Sequence, residues 1–284
     1  MNNNPFHFDC KTSWCPGCGN FGIIEALKET LQELGLKPHE TVAVSGIGQA
    51  AKLPHYINSN GFNGLHGRAL PVALGIKIAN KDLTVFVNSG DGDSYGEGGN
   101  HLIHNIRRNI DITHFVHNNQ IYGLTKGQGS PTTALNQVTT LQFDGVKSYP
   151  FNPLAFAISQ DCSFVARTFS GDKTHMKAMM KAAIENKGYS LLDILQPCVT
   201  FNKVNTFKWY KDRVYYIDEN YDPYSKEEAF KKALEWDEGI PIGILYRSKK
   251  PTFIDQFHHL KDGEPLTKRN WSPQDAKAFM NEFY

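Results

Sequence analysis

Residues 83–100 read LTVFVNSGDGDSYGEGGN, and the way that stretch folds decides the architecture of the chain. Leu83–Ser89 is rich in β-branched and aromatic residues, the composition of a strand. It runs directly into Gly90-Asp91-Gly92-Asp93, and helical spacing follows over Gly96–Arg108. A second strand, Ile112–His117, runs in the same way into Asn118-Asn119-Gln120-Ile121-Tyr122-Gly123. Two consecutive strand ends therefore present an acid and an amide, each in a loop that contains glycine.

The same alternation extends outward in both directions. Thr41–Ile47, Ser163–Phe169 and Leu191–Leu195 read as strands, and Gly67–Ala79, Pro153–Ser159 and Thr174–Asn186 as helices. Upstream, Ile23, Ile24, Leu27, Leu31 and Leu34 recur at helical spacing, with Gly35 as a stop. Strands that alternate with helices predict an α/β fold, a doubly wound, mostly parallel sheet, over residues 1–202. Ligands of such sheets sit at the carboxyl ends of strands, where Asp91 and Asn119 fall. Beyond Asn202 the text turns aromatic and charged, as in Phe207-Lys208-Trp209-Tyr210, with one helix over Ser225–Glu235. Residues 203–284 are expected to form an irregular C-terminal extension packed on the domain or on a partner subunit.

Composition narrows the function classes. With 284 residues, 40% of them hydrophobic and 21% charged, the chain can bury a sizeable core. A formal net charge of +1 leaves no basic surface for a polyanion, so nucleic acid is not an expected partner. Neither a signal-like N-terminus nor a window of about 20 apolar residues is present, which predicts a cytoplasmic protein without a membrane association. Five cysteines, an odd number, argue against a disulfide scaffold and for metal or redox use of some of them. The C-x-x-C pair Cys15 and Cys18 is the first candidate, and zinc, a redox disulfide and an iron–sulfur cluster all use that spacing.

At the strand ends the residue types point to one chemistry. Gly90 and Gly92 let backbone approach a phosphate, while the Asp91 carboxylate and the Asn119 amide oxygen suit hard Mg²⁺, whose other positions favour phosphate and water. Alone, GDG is a common turn and NN a loop; after consecutive strands the pair is far more specific.

GDG followed about thirty residues later by Asn before an aliphatic residue resembles the thiamine diphosphate signature. The wider text, WCPGCGN (14–20), SGIGQAAKLPHY (45–56), GLHGRALPVALGIKIAN (64–80), GDGDSYGEGGNHLIHNIRRN (90–109), NNQIYGLTKGQGSPTT (118–133) and QPCVTFN (196–202), resembles the β subunit of 2-oxoacid:ferredoxin oxidoreductases, especially the 2-oxoglutarate members. The match runs in order over about residues 12–250.

That resemblance implies a thiamine diphosphate-binding fold with Mg²⁺ held by Asp91, Asn119 and the Ile121 carbonyl. It places Gly46-Ile47-Gly48 against the pyrimidine ring and Gly90, Gly92, Asp93, Gly123, Leu124 and Thr125 around the coenzyme. It also implies that His66 faces the thiazolium and the substrate carboxylate, and that Lys52 meets the distal carboxylate of a dicarboxylic 2-oxoacid. A [4Fe–4S] cluster is implied on Cys15, Cys18 and Cys198. The family's fourth cysteine follows the GIG turn, where this chain has Gln49, and Cys10 is the expected substitute. Cys162 is expected to be a small buried hydrophobe. The implied reaction is oxidative decarboxylation of a 2-oxoacid with coenzyme A to acyl-CoA, carbon dioxide and reduced ferredoxin. Because no glutamate here lies in a matching motif, an α subunit is expected to supply the activating glutamate. Two other readings stand beside this one: a non-oxidative thiamine diphosphate-dependent decarboxylase or synthase subunit, which Gln49 keeps open, and a zinc-dependent assembly module, which leaves Asp91 and Asn119 unexplained.

Overall fold

Strand pairing joins the chain into one large sheet in a computed structural model that describes residues 3–283. Its strands are β1 (Thr41–Ser45), β2 (Asn60–Asn63), β3 (Thr84–Gly90), β4 (Thr113–Asn118), β7 (Phe164–Phe169), β8 (Ser190–Leu195), β9 (Val214–Tyr216) and β10 (Ile240–Arg247). A separate hairpin pairs β5 (Ile121–Tyr122) with β6 (Gln128–Gly129). In the large sheet the order is β2-β1-β3-β4-β8-β7-β10-β9, and every pairing is parallel except β10 against β7.

Side-chain alternation along the strands sends neighbours to opposite faces. Val42 and Val44 of β1, with Val85 and Val87 of β3, pack among α2 (Ala69–Ala79), α3 (Gly99–Arg108) and α4 (Pro153–Ser159). The intervening Ala43 and Phe86 pack on the other face against α1 (Asn20–Glu33) and α5 (Lys173–Glu185). Both faces are thus covered, as a parallel sheet requires. Between β3 and α3 the chain makes a wide π-turn over Gly92–Glu97, so α3 proper begins three residues after the start predicted from its spacing.

Residues beyond Asn202 extend the sheet as well as cover it. After α6 (Phe207–Lys211) and α7 (Lys226–Ala233) the chain enters β10, which inserts between β7 and β9. Its run Ile240-Pro241-Ile242-Gly243-Ile244-Leu245 is nearly continuous in burial, and that apolar content is what places it inside the sheet. Among the described residues no helix is long and apolar enough to cross a membrane. For the site, the decisive feature is that β3 lies between β1 and β4. The loops after these strands, carrying Gly46-Ile47-Gly48, Asp91 and Asn119, therefore meet at one end of the sheet.

Candidate active site

A cavity of about 90 Å³ opens where those three loops meet, walled by Ile47, Gly48, His66, Asp91, Asn119 and Leu124 among others. Asp91 is buried at its floor, with Oδ2 accepting from Ser130 Oγ at 2.5 Å and Thr132 Oγ1 at 2.6 Å. Burial pushes its carboxyl up to about 6, while the two hydroxyls and the Asn119 backbone N–H favour the ionised form. Asn119 Oδ1 accepts from the Ile121 N–H at 3.0 Å, which fixes the amide and the Ile121 peptide in one turn.

Asp93 acts as a strut between loops. Its Oδ1 accepts from the Gly67 N–H at 2.7 Å and the Ile47 N–H at 3.1 Å, tying the end of β3 to the GIG turn and to the entrance of α2. Gly46 is required for this: a Cβ there would lie 2.2 Å from Asp93 Oδ2. Gly90 has the opposite character, since a Cβ would meet no atom within 4 Å, so its open side is free for a ligand. His66 lies in the turn before α2, with Nε2 3.6 Å from Asp93 Oδ1 and 3.4 Å from Glu97 Oε2. Tyr122 donates to Glu97 Oε2 at 3.1 Å along the same rim.

Electrostatics restricts what this cavity can take. Two carboxylates line it, Asp93 Oδ2 is buried with no hydrogen-bond partner among the described residues, and neither lysine nor arginine is among the described lining residues. A diphosphate can approach Asp91 and Asp93 only with a divalent cation between them. Asp91, Asn119 and the Ile121 carbonyl offer hard oxygens for such an ion. The volume is well below the roughly 300 Å³ or more of a pocket that encloses a whole small-molecule ligand, so this chain supplies one part of an enclosure.

Next to it lies a second cavity, lined by Cys15, Cys18, Cys198, Gln49, Asn119 and Gly123 among others. Trp14 brings the C-x-x-C segment there: its indole N–H donates to the Gln49 carbonyl at 2.7 Å, and its ring stands edge-on to Tyr56 and Phe21. Cys198 comes 180 residues after Cys18, in the loop after β8, and Asn202 fastens that loop by donating to the Asn119 carbonyl at 3.1 Å. Burial pushes the Cys18 thiol up to about 11, and the Cys198 and Cys15 sulfurs push in the same direction. Among the described residues no three His, Cys, Asp or Glu side chains are grouped so as to hold a single metal ion.

The structure brings together most of the residues singled out in the sequence. Gln49, Asn119 and Gly123 wall both cavities, and Thr125 reaches the first, its hydroxyl bonded to Gln128. Two residues stand apart. Cys10 does not line the thiol cavity; its Sγ faces the His55 carbonyl at 3.8 Å. Lys52 does not line the coenzyme cavity; its ammonium donates to Ser13 Oγ at 3.1 Å. Cys162 is fully buried, as expected of a small apolar side chain, with its thiol pushed up to about 12 by burial. Sequence reasoning gave no part to Ser130, Thr132, Glu97 or Tyr122. The signal for the first two was the hydroxyl-rich Ser130-Pro131-Thr132-Thr133 that follows the β5–β6 hairpin.

Comparison with known proteins agrees with this geometry. Residues 41–194 match the family described as thiamine pyrophosphate enzyme, C-terminal TPP binding domain. Residues 198–262 match the family described as the C-terminal region of the pyruvate ferredoxin oxidoreductase beta subunit. The chain is 46% identical over 257 residues to the 2-oxoacid:ferredoxin oxidoreductase subunit beta of Saccharolobus solfataricus, covering 86% of this chain and 84% of that one. It is 39% identical over 237 residues to the 2-oxoglutarate oxidoreductase subunit KorB of Mycobacterium tuberculosis, covering 84% and 60%. Among solved structures, it superposes with a TM-score of 0.90 and 33% identity, over 98% of this chain and 96% of the other, on a 2-oxoglutarate:ferredoxin oxidoreductase from Magnetococcus marinus with 2-oxoglutarate, coenzyme A and succinyl-CoA bound.

Proposed function

The chain belongs to the β-subunit family of the 2-oxoacid:ferredoxin oxidoreductases, and from that premise we propose its part in the reaction. The complex carries out oxidative decarboxylation of 2-oxoglutarate with coenzyme A, giving acyl-CoA, carbon dioxide and reduced ferredoxin. Thiamine diphosphate, when bound, supplies the electron sink for decarboxylation. Asp91, Asn119 and the Ile121 carbonyl hold the Mg²⁺ that carries the diphosphate, and the Ser130 and Thr132 hydroxyls keep Asp91 oriented and ionised. Gly46-Ile47-Gly48, held by Asp93, offers backbone to the pyrimidine ring. His66, poised between Asp93 and Glu97, holds or moves a proton at Nε2 beside the substrate carboxylate. Leu124, 39% exposed at the rim, covers the substrate side and keeps water from it. The enclosure is completed by an α subunit, which also contributes the activating glutamate.

Cys15, Cys18 and Cys198 fit a polynuclear [4Fe–4S] cluster, which spreads its thiolates over several irons, better than zinc. Zinc would bind the same thiolates, but it has no redox chemistry and cannot accept the electrons that the proposed reaction releases. Lys52 is proposed to select a dicarboxylic substrate. Its exposed bond joins the ammonium to the neutral Ser13 hydroxyl, and a carboxylate offers it an opposite charge in exchange.

One observation supports the reading: the thiol cavity and the carboxylate cavity share Gln49, Asn119 and Gly123 as a common wall, so a cluster held in the first would stand beside a coenzyme held in the second. The test is to co-produce the chain with its α subunit under anaerobic conditions and assay ferredoxin reduction. The expected result is a brown complex, bleached by dithionite, that reduces ferredoxin only with both 2-oxoglutarate and coenzyme A. Carbon dioxide release from 2-oxoglutarate that needs neither coenzyme A nor ferredoxin, by a colourless complex, would identify a non-oxidative decarboxylase instead.

A further inference from the structure

We propose that Gln49 supplies the fourth corner of the thiol cavity through its carboxamide oxygen, so that a cluster there is held by three thiolates and one neutral oxygen. The inference rests on the cluster reading above and deepens it. Three thiols, Cys15, Cys18 and Cys198, line this cavity; a fourth does not, because Cys10 turns to the His55 carbonyl. Gln49 and Gln196 both line this cavity, each with Oε1 buried and without a hydrogen-bond partner among the described residues; the Gln196 amide is turned to donate to Cys18 Sγ at 3.4 Å and to the Pro197 carbonyl at 3.2 Å, which leaves Gln49 as the amide to bind iron. A buried amide oxygen without a partner is uncommon and calls for one. The thiols that share the cavity with it give an amide oxygen little to bond, being weak donors.

Gln49 is also held where it stands: Trp14 donates to its main-chain carbonyl, and its Cγ packs against the bare Cα of Gly123, 3.8 Å from where a Cβ would stand. Two consequences follow from the chemistry of the donor. A carboxamide oxygen is harder than a thiolate and binds iron more weakly, so the iron it holds is the exchangeable one. It is also neutral, so the cluster carries one negative charge fewer than with four thiolates and accepts an electron more readily. Gln49 borders the carboxylate cavity as well, so an iron that it held would face the side where the coenzyme would bind.

The experiment uses the anaerobically purified complex and counts iron and sulfide per chain before and after ferricyanide. Ferricyanide takes one electron from the cluster, and the oxygen-held iron leaves as Fe²⁺. In the native complex one iron in four is lost and the EPR signal of an oxidised three-iron cluster appears. Gln49→Cys should keep all its iron under the same treatment, with a lowered cluster potential. Cys10→Ser should match the native protein in iron, sulfide and EPR. Co-elution with the α subunit in size exclusion shows that each variant is folded. Equal iron retention in Gln49→Cys and the native complex overturns the inference, as does iron loss in Cys10→Ser, while leaving the cluster itself in place. Absence of iron from every variant overturns both the inference and the cluster reading.

Discussion

The carboxylate cavity and the thiol cavity share a wall, yet they are assembled in different ways. The first is made at the ends of β1, β3 and β4, neighbours in one sheet, so register alone brings Gly46, Asp91 and Asn119 together. Its acids are braced by backbone N–H groups and hydroxyls before any ligand arrives. The second is stitched from an N-terminal segment and the loop after β8, and it retains unpartnered amide oxygens on Gln49 and Gln196. The sheet-end site is preorganised for a charged guest, whereas the thiol site acquires its last contacts from the guest. Binding at the first should therefore depend on charge, and at the second on ligand number.

Removing the charge breaks the comparison most sharply. Asp91→Asn should weaken retention of thiamine diphosphate by at least about a hundredfold, the equivalent of ~3 kcal/mol, since Mg²⁺ loses its carboxylate. The same change should leave the coenzyme-free chain as stable as before or slightly more so, because burial disfavours the Asp91 charge. Coenzyme content and thermal melting of one preparation check both halves, and normal coenzyme content would refute the assignment. Cys198→Ser should do the reverse, losing most of the iron while coenzyme content stays near normal; loss of both together would show that the two cavities form a single unit.

Gly46→Ala probes the strut. Its new Cβ collides with the Asp93 carboxylate, so a destabilisation of ~1–3 kcal/mol is expected, with weakened coenzyme binding and unchanged iron. An unchanged melting temperature would mean that Asp93 moves aside freely. The smallest effect belongs to Lys52→Met, which should raise the Michaelis constant for 2-oxoglutarate roughly tenfold and leave pyruvate unaffected. An equal loss on both substrates would assign Lys52 to the Ser13 contact alone.

What could be read from the sequence follows the same division. Strand β3 lies one residue from its predicted span, and α4 coincides with Pro153–Ser159, because both carry strong local signals. Strand β10 escaped, since Pro241 and Gly243 interrupt its apolar run and its partner β7 is more than seventy residues away. Asp91 and Asn119 were legible because a strand end is a local feature. Ser130 and Thr132 were not, for they reach Asp91 across 39 and 41 residues by way of the hairpin. Cys10, near Cys15 in the chain, is not brought into the thiol cavity; its segment runs along Tyr56 and His55 instead.

The Trp14 anchor sets an order of events during synthesis. Once residue 56 has emerged from the ribosome, the partners of Trp14, Gln49 and Tyr56, exist, and the C-x-x-C segment has somewhere to dock. Cys198 is made 180 residues after Cys18, an interval of roughly 10–40 s at ordinary translation rates. Through that interval Cys15 and Cys18 wait as an adjacent thiol pair without Cys198, and Cys15 is exposed even in the finished fold. Iron delivered before the chain is complete meets a half-built site, and oxidant meets a ready disulfide partner. On the cluster reading proposed above, insertion is therefore a late step that follows closure of the loop that brings in Cys198.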